Sequence, residues 1–301
     1  MADETRYALV HAYSIREHNN GMEEIENSIN FVAELSYIES EELETDIRQV
    51  NSAASSLHIV RAVVANRDDL LEEFVNIGNT YLKAQGSYTI SFDRGMAEIS
   101  RKLLNLCASF RSYLEHQETH LKTELGRDSE GWINWRSFIG EVERKNRSYE
   151  LIYGLRNYIQ HVDMPPLAIE LFADSPGEVS ISVKLKKDKL LARGAQWSAQ
   201  MRRYINSFDE GISLWRTLDE WNEAFQQIQI RGTELRIRPA GLSAKRILTL
   251  RERFGVPTGG QIGIALSPVG PIDGEMKLSL RWIDELAAED LDELLTETSF
   301  C

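Results

Sequence analysis

DRGMAEISRKLLNLCASFRSYLEHQETHLKTELG, residues 93–126, sets Met96, Ile99, Leu103, Leu106, Phe110, Tyr113, Leu114, Leu121 and Leu125 mostly three or four positions apart. That spacing predicts one amphipathic α-helix of about eight or nine turns. Asp93 is a suitable N-cap, and Gly126 a suitable stop because glycine enters the left-handed region at little cost. The fold class expected from this element and its neighbours is mainly α, a helical bundle with a small β-hairpin and a mixed α/β C-terminal region.

Downstream, the polar loop RDSEG leads to a shorter helix with Trp132, Trp135, Ile139 and Val142 on one face. A further helix runs from about Ser148 to His161 and is ended by VDMPP, since Pro165 and Pro166 cannot continue it. The period then falls to two. Val179, Ile181, Val183 and Leu185 alternate with Ser180, Ser182, Lys184 and Lys186, the pattern of a strand with one wet face. The turn DSPG, Asp174 to Gly177, joins it to LAIELF as a hairpin. Helical spacing returns from Trp197 through Met201, Tyr204, Ile205, Phe208, Ile212, Trp215, Leu218 and Trp221 to Phe225. Near the C-terminus, Ser243 to Phe254 reads as a capped helix closed by Gly255 and Pro257, while IGIAL and MKLSLRW read as short strands.

Upstream, Met22, Ile25, Ile29, Val32 and Leu35 also keep helical spacing, as do Leu70, Leu71, Phe74, Val75, Ile77 and Tyr81. NSAASSLHIVRAVVAN between them suits a packed helix or a short buried strand, and helix is the reading taken. The expected organisation is therefore an N-terminal helical region (1–90), a helical core with the hairpin (91–195) and a helical to mixed C-terminal region (196–301).

A hydrophobic share of 42% with 27% charged residues is a globular composition rather than a disordered one. No apolar run approaches the length of a membrane span, and MADETRYALVHAY lacks a basic region followed by an apolar one, so a cytoplasmic protein without membrane partners is expected. Cys107 and Cys301 are the two cysteines, too few for a disulfide framework or a Cys-based zinc site. A net charge of -13 opposes broad, non-specific adhesion to nucleic acid but leaves room for a local basic site. The acidic stretch Asp284 to Glu297 reads as a solvated helix face or tail.

One segment points to a chemistry. RNYIQH, Arg156 to His161, puts a permanent cation, an amide and an imidazole at the end of a helix. Asn157 and His161, four apart, share a face, and Arg156 can curl toward it from about 140° around. His161 sits where the helix dipole is negative. These types suit cleavage of RNA without a metal or other cofactor. The 2′-OH attacks its own phosphate while a base, an acid and a cation assist. His161 serves as base or acid, Arg156 clamps the phosphate and Asn157 orients imidazole or substrate. One histidine cannot make both proton transfers, and two chains paired about a two-fold axis would supply the second.

R-N-x-x-x-H near a helix end, following a long helix and a loop, resembles the signature of HEPN domains, with SFRSYLEHQETHLKTELG and YELIYGLRNYIQHVDMPP as wider context. The resemblance covers residues 92–166. It implies a metal-independent endoribonuclease acting as a homodimer, with Arg156, Asn157 and His161 catalytic, an RNA substrate, and a role as a toxin or antiphage effector with an antitoxin or defence-system partner. The alternative within the same family is a non-catalytic helical interaction or sensor protein.

Other features carry less. His116 and His120 are spaced for one metal, but HQETH is not HExxH and reads first as a solvated helix face, so no metal site is assigned. KLKKDK, with Lys184, Lys186 and Lys187, is either a track that steers RNA or a lysine-rich strand edge that blocks aggregation. RIRPAGLSAKR, Arg236 to Arg246, is a lesser basic stretch. Gly259, Gly260 and Gly263 read as a turn before a strand rather than a phosphate loop, and the six tryptophans as core filler. Gly154 in mid-helix suggests close approach of another backbone, a dimer partner being one candidate.

Overall fold

Apolar stripes at three-and-four spacing become helices along most of the chain, giving a mainly α protein. The computed structural model describes residues 5–19, 22–83, 92–175, 178–192, 196–268 and 279–298. In chain order the first elements are β1 (Thr5–Asn19), β2 (Met22–Leu35), α1 (Tyr37–Lys83), α2 (Phe92–Glu124), α3 (Glu130–Lys145) and α4 (Arg147–His161). Next come β3 (Leu167–Ser175), β4 (Glu178–Lys186), α5 (Lys187–Leu190), α6 (Ala199–Asn206), β5 (Gly211–Ser213) and α7 (Leu214–Gly232). A π-helical turn (Thr233–Ile237) leads to α8 (Arg238–Leu248), α9 (Leu250–Phe254), β6 (Gln261–Pro268), β7 (Ser279–Trp282) and α10 (Glu285–Thr298). No helix among the described residues is long and apolar enough to cross a membrane.

Contacts divide the chain into two units, residues 56–233 and residues 1–55 with 234–301. Neither division coincides with the expected boundaries near 90 and 195, because one falls inside α1 and the other directly after α7.

In the unit of residues 56–233, α2 is the central helix. Ile99, Leu103, Leu106, Cys107, Phe110 and Leu121 on its stripe are fully buried. Phe110 meets Tyr149 of α4 and Trp221 and Phe225 of α7 edge-on, at 5.5, 5.2 and 5.9 Å between centroids. Such edge-to-face contacts add to area burial and fix relative orientation. α2 ends as expected, with Gly126 at φ 86° donating its N–H to Lys122. At the other end the helix begins at Phe92, so Asp93 lies in its first turn rather than at the cap. Ser129 caps α3 by accepting from Trp132 N–H, and Trp132, Trp135 and Val142 are buried on one face. β3, β4 and β5 form an antiparallel sheet in which Val183 and Leu185 are buried and Lys186 is exposed. The expected turn DSPG lies partly outside the described residues. The helical spacing from Trp197 to Phe225 is interrupted: Ile212 sits in β5 opposite Leu185, and only 199–206 and 214–232 are helical. A Cβ on Gly211 would stand 2.7 Å from the Leu185 carbonyl oxygen, so the close strand approach there depends on glycine.

The second unit holds the antiparallel sheet β2-β1-β6-β7. The expectation of helix before residue 36 fails here, for β1 and β2 pair from Tyr7 with Leu35 to Asn19 with Met22. A four-residue step is also two periods of a strand, so Ile25 and Ile29 fit both readings, and pairing with a β-rich neighbour decides. NSAASSLHIVRAVVAN is helical, within α1. The expected helix at Ser243 starts five residues earlier at Arg238 with Pro239 in its first turn, is divided at Thr249 into α8 and α9, and ends at Gly255 with φ 63°. Gly259 and Gly260 form the turn before β6, and the acidic C-terminal stretch is α10.

Gly154 is explained within the chain rather than by a partner backbone. Trp197, whose Nε1 donates to the Leu190 carbonyl at 2.7 Å, lies against it, and a Cβ on Gly154 would stand 2.5 Å from the indole ring. Gly154→Ala should therefore destabilise the protein by up to about 2 kcal/mol: overpacking of about 1–3 kcal/mol is set against a gain of about 1 kcal/mol in helix propensity. Thermal unfolding checks this, and an unchanged or raised midpoint would mean that the ring has room to yield.

Candidate functional site

Asn146 starts α4 by accepting from Tyr149 N–H at 2.7 Å, and its own amide donates to the Glu220 carbonyl of α7. Leu151, Ile152, Leu155 and Tyr158 form the buried face, and Tyr158 donates to the Lys189 carbonyl at 3.2 Å. The Val162 and Asp163 N–H groups both bond the Tyr158 carbonyl, and Pro165 and Pro166 follow. Tyr153, Asn157 and His161, spaced by four, therefore lie in one row along α4, the first two within reach of Arg111 of α2.

Asn157 is half-buried. Its Oδ1 accepts from Arg111 Nη1 at 2.8 Å and, more weakly at 3.5 Å, from Arg156 Nη1. Arg111 comes from α2, directly after Phe110, and also donates to Glu115 at 2.7 Å while lying 5.1 Å over the Tyr153 ring. The aromatic packing that joins α2 to α4 thus also sets two guanidinium groups around one amide. Arg111 was not among the expected site residues. The signal available was its position: a cation flanking the core stripe of a helix that must pack beside RNYIQH.

Arg156 is half-buried and forms no ion pair among the described residues; its one hydrogen bond there is the long contact with Asn157. His161 is exposed at the end of α4 and has neither hydrogen bond nor ion pair among them. The three expected residues therefore lie at one helix end with Arg156 and His161 uncommitted, and Asn157 held by Arg111.

The lysines divide differently. Lys184 pairs with Glu170 at 2.8 Å, which raises its pKa, and stands 3.9 Å from Glu210. Lys187 donates to the carbonyls of Asn206 and Phe208 at the end of α6. Lys186 alone of the three is exposed without such a partner among the described residues. The Arg236–Arg246 stretch is similarly occupied: Arg236 is buried on Ser52, and Arg246 is paired with Asp46. His116 and His120 stand 4.3 Å apart between ring centroids and His120 contacts Glu124, but no group of three or more potential ligands is placed to hold a metal among the described residues. Burial pushes the Cys107 thiol up to about 12, so it is neither nucleophile nor ligand at neutral pH.

No protein-family model, curated protein or solved structure matches this chain.

The Arg111–Asn157 contact joins a charged donor to a neutral acceptor across two helices. A double-mutant cycle with Arg111→Gln and Asn157→Ala, read by denaturant unfolding, should give a coupling on the order of 1 kcal/mol. Strict additivity would mean that the two side chains do not interact in solution.

Proposed function

We propose that the protein is a metal-independent endoribonuclease of HEPN type that acts as a homodimer in the cytoplasm, in the role of a toxin or antiphage effector held by a neutralising or activating partner protein. The observation that carries this reading is the pairing pattern at the end of α4. In a chain whose cations are widely engaged with carboxylates or carbonyls, Arg156 has no acid and His161 has no partner among the described residues. A guanidinium left without a carboxylate is ready for a phosphate, which it grips with two parallel N–H bonds.

In this account the 2′-oxygen attacks phosphorus as His161 of one copy takes the 2′-OH proton. The P–O5′ bond breaks, and the imidazolium of the second copy gives a proton to the departing 5′-oxygen, leaving a 2′,3′-cyclic phosphate and a 5′-hydroxyl. Arg156 neutralises charge on the non-bridging oxygens. Asn157, its Oδ1 fixed by Arg111, has its amide N–H groups left for substrate or imidazole. Exposed Lys186 is the residue of the lysine cluster best able to attract RNA.

The competing reading is a non-catalytic interaction or sensor protein on the same helical core, and the Arg111–Asn157 bond favours it insofar as that bond gives Asn157 a structural use. RNA cleavage measured in EDTA separates the two. Wild type should cut, and His161→Ala and Arg156→Ala should each lose at least about a hundredfold in rate. Equal rates in all three proteins would end the ribonuclease reading. Expression of the wild type, and not of His161→Ala, should also depress growth.

A further inference from the structure

Next to the Arg111–Asn157 contact, α2, α3 and α4 enclose a pocket of about 290 Å³. Tyr149, Tyr153 and Trp135 give it aromatic walls, and Glu115, Glu118 and Glu143 line it against a single cation, Arg136. Tyr149 is only 4% exposed. Its phenol hydroxyl has no hydrogen-bond partner among the described residues and yet is not sealed from solvent, so it opens into the pocket that the residue lines. Buried polar groups are nearly always satisfied, and a hydroxyl left open beside a cavity points to a ligand that satisfies it.

The charges narrow what that ligand is. Glu115 is held by Arg111 at 2.7 Å, and Glu118 by Arg136 at 2.6 Å. Glu143 has no hydrogen bond or ion pair among the described residues, and its charge adds to burial in pushing the Tyr149 phenol up, so that the hydroxyl keeps its proton. With Glu115 paired to Arg111, and Glu118 to Arg136 and Lys122, Glu143 is the lining carboxylate left without a cation among the described residues, and its charge repels a phosphate or any other anion placed beside it. A neutral apolar ligand would leave Glu143 and the Tyr149 hydroxyl unmet. A cation carrying N–H donors satisfies both, and the aromatic rings favour it further. Planarity matches as well: Tyr149 and Tyr153 lie parallel, 9° apart at 6.3 Å, and Tyr153 already carries the Arg111 guanidinium 5.1 Å over its ring with a carboxylate beside it.

We infer that this pocket binds a guanidinium group, supplied by a small organic cation or by an arginine side chain of another protein. The assignment stands independently of the ribonuclease reading. Calorimetric titration with n-butylguanidinium tests it, with neutral n-butylurea as the isosteric control and N-acetyl-arginine-N-methylamide as the side-chain form. Saturable binding of the cation and not of the urea is expected, weakened at least about tenfold by Glu143→Gln and by Tyr149→Phe. Glu143 is exposed, so its variant tests the site even if Tyr149→Phe perturbs folding. Capped arginine binding as well as butylguanidinium assigns the group to a protein side chain, and weaker binding assigns it to a free small molecule. No saturable binding of the cation, equal binding of the urea, or undiminished affinity in the Glu143→Gln protein overturns the inference.

Discussion

The packing of Phe110 against α4 and α7 is the constraint on which the site depends. Its ring is fully buried and meets Tyr149, Trp221 and Phe225 edge-on, while Trp221 and Phe225 stack on each other 5.2 Å apart. Edge-to-face geometry tolerates little sliding, so this cluster sets the register between α2 and α4. Arg111 is the next residue in the chain. Because Phe110 is fixed, the Arg111 guanidinium arrives at Asn157, Glu115 and Tyr153 together. A helix–helix core contact is thereby converted into a polar arrangement at the surface.

Charge is distributed around that arrangement in a way that composition alone hides. The chain carries a net charge of -13, yet the end of α4 presents Arg156 without a carboxylate among the described residues and His161 exposed beyond it. About two turns back along the same helix, at Tyr153 and Tyr149, the lining is acidic and aromatic instead. One helix thus offers two chemically opposite environments in succession. Arg111 and Glu115 form the boundary, since Arg111 reaches Asn157 on one side and Glu115 lines the pocket on the other.

Much of the helical unit is legible in the sequence because its signals are local. The stripe from Ile99 to Leu121, the stop at Gly126, the Trp132–Val142 face, the two prolines after α4 and the alternation in β4 each follow from period or stereochemistry within a few residues. What sequence did not reveal was decided by contacts far along the chain. Met22 to Leu35 fits a helix until β1 pairs with it, and Ile212 fits a helix until Leu185 lies opposite. Gly154 reads as a place for a partner backbone until Trp197 from beyond the hairpin fills it. At the site, the spacing of Asn157 and His161 along one helix is a local property, whereas the hold of Arg111 on Asn157 and the loss of Lys184 and Lys187 to internal partners are tertiary facts.

We propose that the exposed imidazole and the guanidinium at the end of α4, which has no carboxylate among the described residues, assist transfer of a phosphoryl group from the 5′-oxygen to the neighbouring 2′-oxygen. The chemical identity of the cut ends tests it most directly. RNA incubated with the protein in EDTA should yield fragments ending in 2′,3′-cyclic phosphate and beginning with 5′-hydroxyl. Fragments carrying 5′-phosphate, or intact RNA, would contradict the account.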